Sequence, residues 1–328
     1  MKLYSIIVPV YNRPDHIKSL LECLTNQTFK NFEVIVVESG STIKSDEVVE
    51  SFKEKLDVRY IFKGNDGQGY SRNRGMKEAK GDYFIILDSD ILLPNNYVEN
   101  IEKHLKENYL DAFGGPDRLH PDSSLFQKAV NYCMTSFLTT GGTRGNKSLV
   151  GKYYPRSFNM GVSREVYEKV GGFNIPFMGE DLEWSSRIIN AGFKTGLIEN
   201  AYVHHERKGT LKSFYKQINF FGRARINISK LVPKSLKVVH TFPIFYCLYV
   251  IGLIYLALIA SPLFYWAFIP FLAYNISLFV SSFLSSKHIA VGVLVLLCAN
   301  ALMLAYSSGM IKEYITLYIL KKEQTYKL

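Results

Sequence analysis

From residue 3 to about residue 228, short β-branched and aromatic runs alternate with longer stretches whose apolar positions recur every three or four residues. Runs of the first kind, at 3–8, 32–37, 57–62, 82–87 and 194–199, predict strands, and those at 3–8, 32–37 and 82–87 are mostly apolar, which is how strands covered on both faces read. Stretches of the second kind, at 14–26, 44–56, 70–79, 94–107, 163–169, 180–191 and 210–228, predict amphipathic helices. That alternation predicts one α/β domain, a mostly parallel sheet covered by helices. Thr139 to Lys152, rich in Gly, Thr and Ser, predicts a mobile loop able to act as a lid. Gly145 and Gly151-Lys152 within it do not form a P-loop, because five residues separate the glycines and Tyr153 stands where Ser or Thr is required.

Beyond this territory the pattern changes. Phe242 to Ser286 is a run of 45 residues without Asp, Glu, Lys or Arg, too long for one helical crossing of a ~30 Å hydrocarbon core. Two helices fit, at about 243–260 and 263–284 with a break near Ser261-Pro262, and a second uncharged run, Ile289 to Ile311, accommodates a third at about 289–309. The expected organisation is a cytoplasmic domain over 1–228, a basic juxtamembrane linker over 229–241, a transmembrane region over 242–311 with two or three helices, and a basic tail over 312–328. Arg223, Arg225, Lys230, Lys234 and Lys237 precede the first span and Lys287 lies in the second loop, so the positive-inside rule keeps the N-terminal domain in the cytoplasm. Three crossings would put Lys312, Lys321, Lys322 and Lys327 outside, against the same rule. The last segment is therefore expected either to be re-entrant or to lay Met310 to Leu320 in the interface as an amphipathic helix.

Composition narrows the picture only a little. The net charge of +10 implies an anionic partner, whether headgroups, nucleotide phosphates or nucleic acid. Nucleic acid is disfavoured, since the charge gathers beside the apolar segments and no recognition module is present. Cys23, Cys133, Cys247 and Cys298 show no metal-ligand or CxxC spacing and read as reduced packing residues. Met1-Lys2-Leu3 runs directly into the first strand, so no secretory leader is expected.

Chemistry gathers where the strands end. Asp88-Ser89-Asp90 follows Tyr83-Phe84-Ile85-Ile86-Leu87, and two carboxylates at the carboxyl edge of a buried strand suit Mg2+ or Mn2+ with positions left for phosphate oxygens. Ser5 to Asn12 ends in Pro9, Tyr11 and an amide, and a base could stack on Tyr11. Glu38 closes the second strand within expected reach of a ribose or a base edge. Asn65 to Gly75 is a glycine-rich turn opening a helix with Arg72 near its start, an anion site by backbone amides, dipole and guanidinium. Gly179-Glu180-Asp181 opens another helix, where acidic residues are ordinary capping or else supply a general base. His204-His205-Glu206-Arg207-Lys208 could complete a metal site.

The succession Ile-Val-Pro-Val-Tyr-Asn, Glu38-Ser-Gly-Ser, Asn65 to Gly75, Asp88-Ser-Asp90 and Gly179-Glu-Asp181 resembles a family 2 glycosyltransferase of GT-A fold, over residues 3 to 228. With its apolar segments the whole resembles membrane-bound enzymes that extend lipid-linked oligosaccharides for bacterial exopolysaccharide or O-antigen. The resemblance implies a Rossmann-like nucleotide-diphospho-sugar transferase domain followed by transmembrane helices at the bacterial inner membrane. By the same resemblance Pro9, Tyr11, Glu38, Asp66 and Ser89 line the nucleotide-sugar pocket, with Arg72 near the pyrophosphate and Asp88 near ribose or metal. Asp90 and His205 are implied on Mn2+ or Mg2+, His204 being the fallback. Asp181 is implied as the base, with Glu180 shaping the acceptor side. Arg207, Arg223 and Arg225 are candidates for diphosphate or lipid contact. The implied partners are a nucleotide sugar, with a UDP-sugar the expected donor, a lipid-linked saccharide, membrane lipid and other polysaccharide-assembly enzymes. Glu38-Ser39 departs from the family's usual pair of aspartates, and Gln217 to Arg225 lacks the Gln-x-x-Arg-Trp of processive synthases, which points to single additions. A polyprenyl-phosphate glycosyltransferase is the enzymatic alternative. A nucleotide-sensing membrane scaffold is the non-enzymatic one.

Overall fold

The computed structural model describes residues 2–141, 153–232 and 235–322. In chain order, β1 (Tyr4–Val10) leads through α1 (Pro14–Thr25) to β2 (Phe32–Ser39), α2 (Asp46–Glu50), β3 (Val58–Lys63), α3 (Gln68–Glu78) and β4 (Tyr83–Leu87). There follow β5 (Ile91–Leu92), α4 (Tyr97–Glu107), β6 (Ala112–Gly114), β7 (Asp117–Leu119), α5 (Leu125–Thr135) and the single turn α6 (Phe137–Thr140). The chain continues as β8 (Asn159–Ser163), α7 (Arg164–Val170), α8 (Glu180–Asn190), β9 (Thr195–Leu197) and β10 (Val203–His205), then as α9 (Leu211–Leu231), α10 (Phe242–Leu258), α11 (Leu263–Ser286) and α12 (Ile289–Tyr314). Most of the loop expected over 139–152, with the P-loop-like glycines, lies outside the described residues, as do Lys234 and the tail beyond Lys322.

Two compact units emerge. The first comprises residues up to His120 and the described part of Gly145–Glu206. Its seven-stranded sheet has the order β3-β2-β1-β4-β8-β6-β9, and β5-β10-β7 form a small second sheet. Strand alternation divides the core. Ile6, Val8, Val34, Val36 and Ile85 face Ile17, Leu20 and Leu24 of α1 and Ile101 and Leu105 of α4. Ile7, Ile35, Val37, Phe84 and Ile86 face Met76 of α3, Val166 of α7 and Trp184 and Ile188 of α8. Strands β1 to β4 pair in parallel, but β8 is antiparallel to both β4 and β6, so the sheet is more mixed than the sequence pattern suggests. The order reverses between β1 and β4, the kind of position where open α/β sheets form a ligand crevice at their carboxyl edge.

One buried charge in this sheet sets an acid limit on stability. Glu33, on β2, accepts from Ser5 Oγ at 2.6 Å, from the Lys80 amide at 2.6 Å and from Arg59 at 2.6 Å. Burial alone would raise its pKa, but these three donors outweigh it and hold the carboxyl below its ordinary value. A depressed folded-state pKa contributes stability above the unfolded value near 4.5, and that contribution is lost as pH falls through the folded one. Glu33→Gln is therefore expected to lower the Tm at pH 7 while making it less sensitive to acidification below about pH 4.5. Thermal melts across pH check this, and parallel acid limbs in the two proteins would refute it.

The second unit contains the described part of Pro121–Arg144 and that of Arg207–Thr325. It divides from the first elsewhere than at residue 228. The apolar face of α9 packs Phe214 and Ile218 with Ala129, Val130 and Cys133 of α5 and with Val295, Cys298, Ala299 and Leu302 of α12. Three helical segments are long and apolar enough to cross a membrane, Val238–Leu258 with 21 residues, Leu263–Ser286 with 24 and Ile289–Ile319 with 31. The third does not stop near residue 309 and has no re-entrant break. It runs unbroken to Tyr314 and on through a π-helical turn, Ile315–Ile319.

Candidate active site

At the end of β1, Asn12 adopts a left-handed backbone with φ 52°. Its Oδ1 accepts from the amides of Thr42 at 2.8 Å and Ile43 at 2.9 Å, fastening the loop after β2 to the first strand. Pro9 is buried and Tyr11 remains half exposed. Glu38 departs from the expectation of a ribose contact. It is fully buried, and it accepts from the Ser45 amide at 2.7 Å and from the Tyr60 hydroxyl at 2.7 Å. Its carboxylate therefore braces the loop leading into α2. Asp66 is exposed and paired with Lys63.

Arg72 is the hub. One turn into α3, its side chain is 1% exposed, and Nη2 donates to Asp88 Oδ1 at 2.8 Å while Nη1 donates to Glu180 Oε1 at 2.9 Å. A single guanidinium thus joins the turn after β4 to the start of α8. Gln68 Nε2 also donates to Glu180 Oε1, at 2.6 Å. Glu180 is itself buried, so it serves as a strut between helices instead of facing an acceptor. Burial raises its pKa and Asp181 adds to the rise, with Arg72 opposing both. Gly179 caps α8 at φ 103°, a left-handed conformation that glycine adopts without steric cost. Next in the chain, Asp181 is partly exposed. Its Oδ1 accepts from the Leu182 amide at 2.8 Å, and Oδ2 faces Arg156 Nη1 at 3.6 Å, beyond hydrogen-bond length.

The second carboxylate after β4 sits among cations. Asp90 Oδ2 meets Arg13 Nη1 at 2.5 Å, and Oδ1 meets His205 Nε2 at 3.2 Å. Burial would raise Asp90, but His205 and Arg13 together hold it well below the usual carboxylate range. His205 shows the opposite balance. Burial would lower it, yet Asp117 and Asp90 push it up to about 9. His205 Nδ1 faces Asp117 Oδ1 at 3.7 Å. His204, one residue earlier on β10, points to the other face and bonds the Leu119 carbonyl through Nδ1 at 3.0 Å.

Whether this arrangement fits a divalent cation can be tested on its geometry. Among the described residues no three His, Cys, Asp or Glu side chains converge on one point. Asp90 and His205 nevertheless stand at the spacing of neighbouring ligands bound about 2.1 Å from one octahedral ion, which lie about 3 Å apart. His205 Nδ1 faces the Asp117 carboxylate at 3.7 Å, beyond hydrogen-bond length, on the side where the outer support of a metal-binding histidine stands. Two protein ligands with the remaining positions left for phosphate oxygens and water match how Mg2+ is commonly held. The residues present therefore fit such an ion. Arg13, Asp117 and Arg156 escape the sequence reading because each reaches the site from a segment without a motif of its own, and Gln68, inside the Asn65 to Gly75 turn, carries no charge to single it out.

Arg207, Arg223 and Arg225 belong to the second unit. Arg207 is buried, and its Nε and Nη2 bond Asn131 Oδ1 at 3.1 and 2.9 Å. Arg223 Nε pairs with Glu313 Oε2 at 2.8 Å, and Arg225 is half-buried.

Comparison with known proteins agrees with this geometry. The family model described as glycosyl transferase family 2 matches residues 5–171. An uncharacterized glycosyltransferase of Rickettsia bellii is 40% identical over 229 residues, covering 61% of this chain and 33% of that protein. Glycosyltransferase GlyA of Streptococcus pneumoniae is 38% identical over 113 residues, 34% of this chain and 16% of that protein. The chain thus spans a third or less of the length of these two relatives. Among solved structures, the mannosyltransferase PcManGT from Pyrobaculum calidifontis, in complex with GDP-Man and Mn2+, aligns with TM-score 0.60 at 16% identity, covering 98% of this chain and 88% of that one. S. aureus TarS 1-349 in complex with UDP-GlcNAc aligns with TM-score 0.50 at 17% identity, covering 99% and 93%. These structural likenesses concern the fold. Matched over half its length by the family model, with the motif-bearing strand ends in place, the chain belongs to glycosyl transferase family 2.

Proposed function

We propose that this protein transfers a sugar from a nucleotide sugar, a UDP-sugar being the expected donor, to a lipid-linked saccharide, with inversion at the anomeric carbon. The setting is the cytoplasmic face of a bacterial inner membrane, and the product a step in the assembly of surface polysaccharide. The observation that carries this reading is Arg72, whose two arms bind Asp88 and Glu180 and so hold the Asp88-Ser89-Asp90 turn beside the opening of α8, where Asp181 stands. A donor diphosphate near Asp90 and an acceptor hydroxyl near Asp181 would then meet across one small site.

Asp181 Oδ2 lies outside hydrogen-bond length of Arg156, which leaves it able to accept a proton from the acceptor hydroxyl. The acceptor oxygen bonds to the anomeric carbon as the bond from that carbon to the diphosphate breaks on the opposite face, and the nucleoside diphosphate departs with the electron pair. One displacement inverts the centre. Asp90 and His205 would hold Mn2+ or Mg2+, which when bound would neutralise charge gathering on the leaving diphosphate. Arg13 fixes the other Asp90 oxygen. Tyr11, half exposed at the end of β1, offers a stacking surface for the base.

The test is nucleotide release by the purified protein in nanodiscs, supplied with UDP-, GDP- and dTDP-sugars with and without EDTA. Release selective for one donor and abolished by the chelator is expected. Asp90→Ala should weaken metal-dependent donor binding by about 100-fold or more, beyond the loss that follows removal of an outer support. A variant that keeps full metal-dependent binding would remove Asp90 from the site.

A further inference from the structure

Charge gathering on a departing diphosphate is stabilised by fixed cations, and two guanidiniums touch the carboxylates that follow β4. Their surroundings differ. Arg72 is 1% exposed, with one terminal nitrogen on Asp88 and the other on Glu180. The first turn of its helix is covered too, since the Gly69 amide donates to the Pro176 carbonyl at 2.8 Å and a Cβ on Gly67 would meet Pro176 Cβ at 2.4 Å. Neither that guanidinium nor the Gly69 amide is open to a ligand.

Arg13 is placed otherwise. Its side chain is 40% exposed, and among the described residues its one ionic partner is Asp90, met by Nη1 at 2.5 Å. A guanidinium carries five N–H donors in a planar fork, so most of them stay open. The backbone of Arg13 is fixed on both sides. Asn12, before it, is left-handed and donates its amide to Ser41 Oγ at 2.8 Å, and Pro14, after it, opens α1. What remains free to move is the long side chain, and a half-exposed ion pair holds such a chain only weakly.

Asp90 offers one oxygen to each neighbour. Oδ1, at 3.2 Å from His205 Nε2, is the one a divalent ion would share, and Oδ2 is held by Arg13. An ion on the first oxygen would lie close to the guanidinium on the second, and like charges repel. A diphosphate changes the balance, because its oxygens can draw the guanidinium into a charge-assisted pair and leave Asp90 to the ion. We propose, resting on the nucleotide-sugar reading above, that Arg13 exchanges Asp90 for the donor diphosphate, opposing the ion alone and releasing the carboxylate once the nucleotide arrives. Metal and nucleotide then bind as a coupled pair, through one side chain that takes a different partner in each state.

Mn2+ affinity of the full chain in phosphatidylcholine nanodiscs, read from the EPR signal of the free ion with and without saturating UDP, GDP or dTDP, tests the exchange. Asp90→Ala supplies the background from other sites. The ratio of the two affinities is the coupling, and linkage makes it also the ratio by which Mn2+ tightens the nucleotide. In Arg13→Gln, Mn2+ alone should bind about 5-fold tighter or more and Mn2+ beside the nucleotide as in the parent, so the coupling falls by the same factor. Nucleotide affinity in saturating Mn2+ should drop about 10-fold. Arg13→Lys keeps the charge without the planar fork, so Mn2+ alone should stay near its parent affinity. Mn2+ binding that is unchanged or weaker in Arg13→Gln, or coupling equal to the parent's, overturns the exchange while leaving the donor reading in place. A parent protein that binds none of the three nucleotides in Mn2+ overturns the nucleotide-sugar reading, and the exchange with it.

Discussion

Asp181→Asn is expected to lower the transfer rate by about 10²- to 10⁴-fold while leaving donor affinity nearly unchanged. The substitution keeps the shape and the acceptor oxygen that takes the Leu182 amide at 2.8 Å, so the start of α8 should persist. What it removes is a proton acceptor. Arg156, at 3.6 Å, cannot supply one, and Glu180 next door is committed to Arg72 and Gln68. Donor affinity from nucleotide titration, beside single-turnover transfer with saturating acceptor, separates the two effects. A loss of donor binding with unaltered turnover would transfer Asp181 from proton acceptor to donor ligand.

The second large effect is on folding. Arg72→Met should destabilise the catalytic unit by about 3–5 kcal/mol, because removing one partner of a buried ion pair leaves an uncompensated charge. Arg72 is held by Asp88 and Glu180, and Glu180 is too deeply buried for water to replace the guanidinium. For a unit of this size the loss corresponds to a Tm lower by roughly 10 °C. Lysine should restore only part of it, since an ammonium is a compact charge without the guanidinium's planar fork. Adding Glu180→Gln to Arg72→Met should recover stability by removing the stranded charge. If Arg72→Met melted like the parent protein, the strut reading would fail.

The first four strands were legible in the sequence because their short β-branched and aromatic runs are broken only by single polar residues such as Ser5, Glu33 and Arg59, and the observed bounds fall within two residues of the expected ones. Strand β8 was not. Asn159-Met-Gly-Val-Ser has polar ends and a central glycine, and it becomes a strand because β4 and β6 bond it from both sides. Helix α5 did carry a signal that the reading passed over, the Ser124 and Gln127 capping box ahead of apolar positions at helical spacing. The helix expected over 44–56 closes after Glu50. At the site, the strand-end carboxylates were legible as motifs. Their counter-ions were not, since Arg13, Arg156 and Asp117 gain meaning only from the residues the fold sets opposite them. Glu38 illustrates the converse, a motif position whose carboxylate the fold turns inward to Ser45 and Tyr60.

The interleaving of the two units along the chain has a consequence for synthesis. Helix α5 is made before the last strands of the catalytic sheet, yet its partner on α12 arrives much later, Cys133 and Val295 being 162 residues apart. At typical ribosomal speeds of about 5–20 residues per second, that leaves a wait of roughly 8 to 30 seconds. Through that interval the catalytic sheet can close while Ala129, Val130, Cys133 and Met134 have only Phe214 and Ile218 of α9 to cover them, an incompletely buried surface until the C-terminal helix emerges. A ribosome stalled before residue 289 would therefore display a finished sheet and, in the second unit, a helix pair still missing its third member.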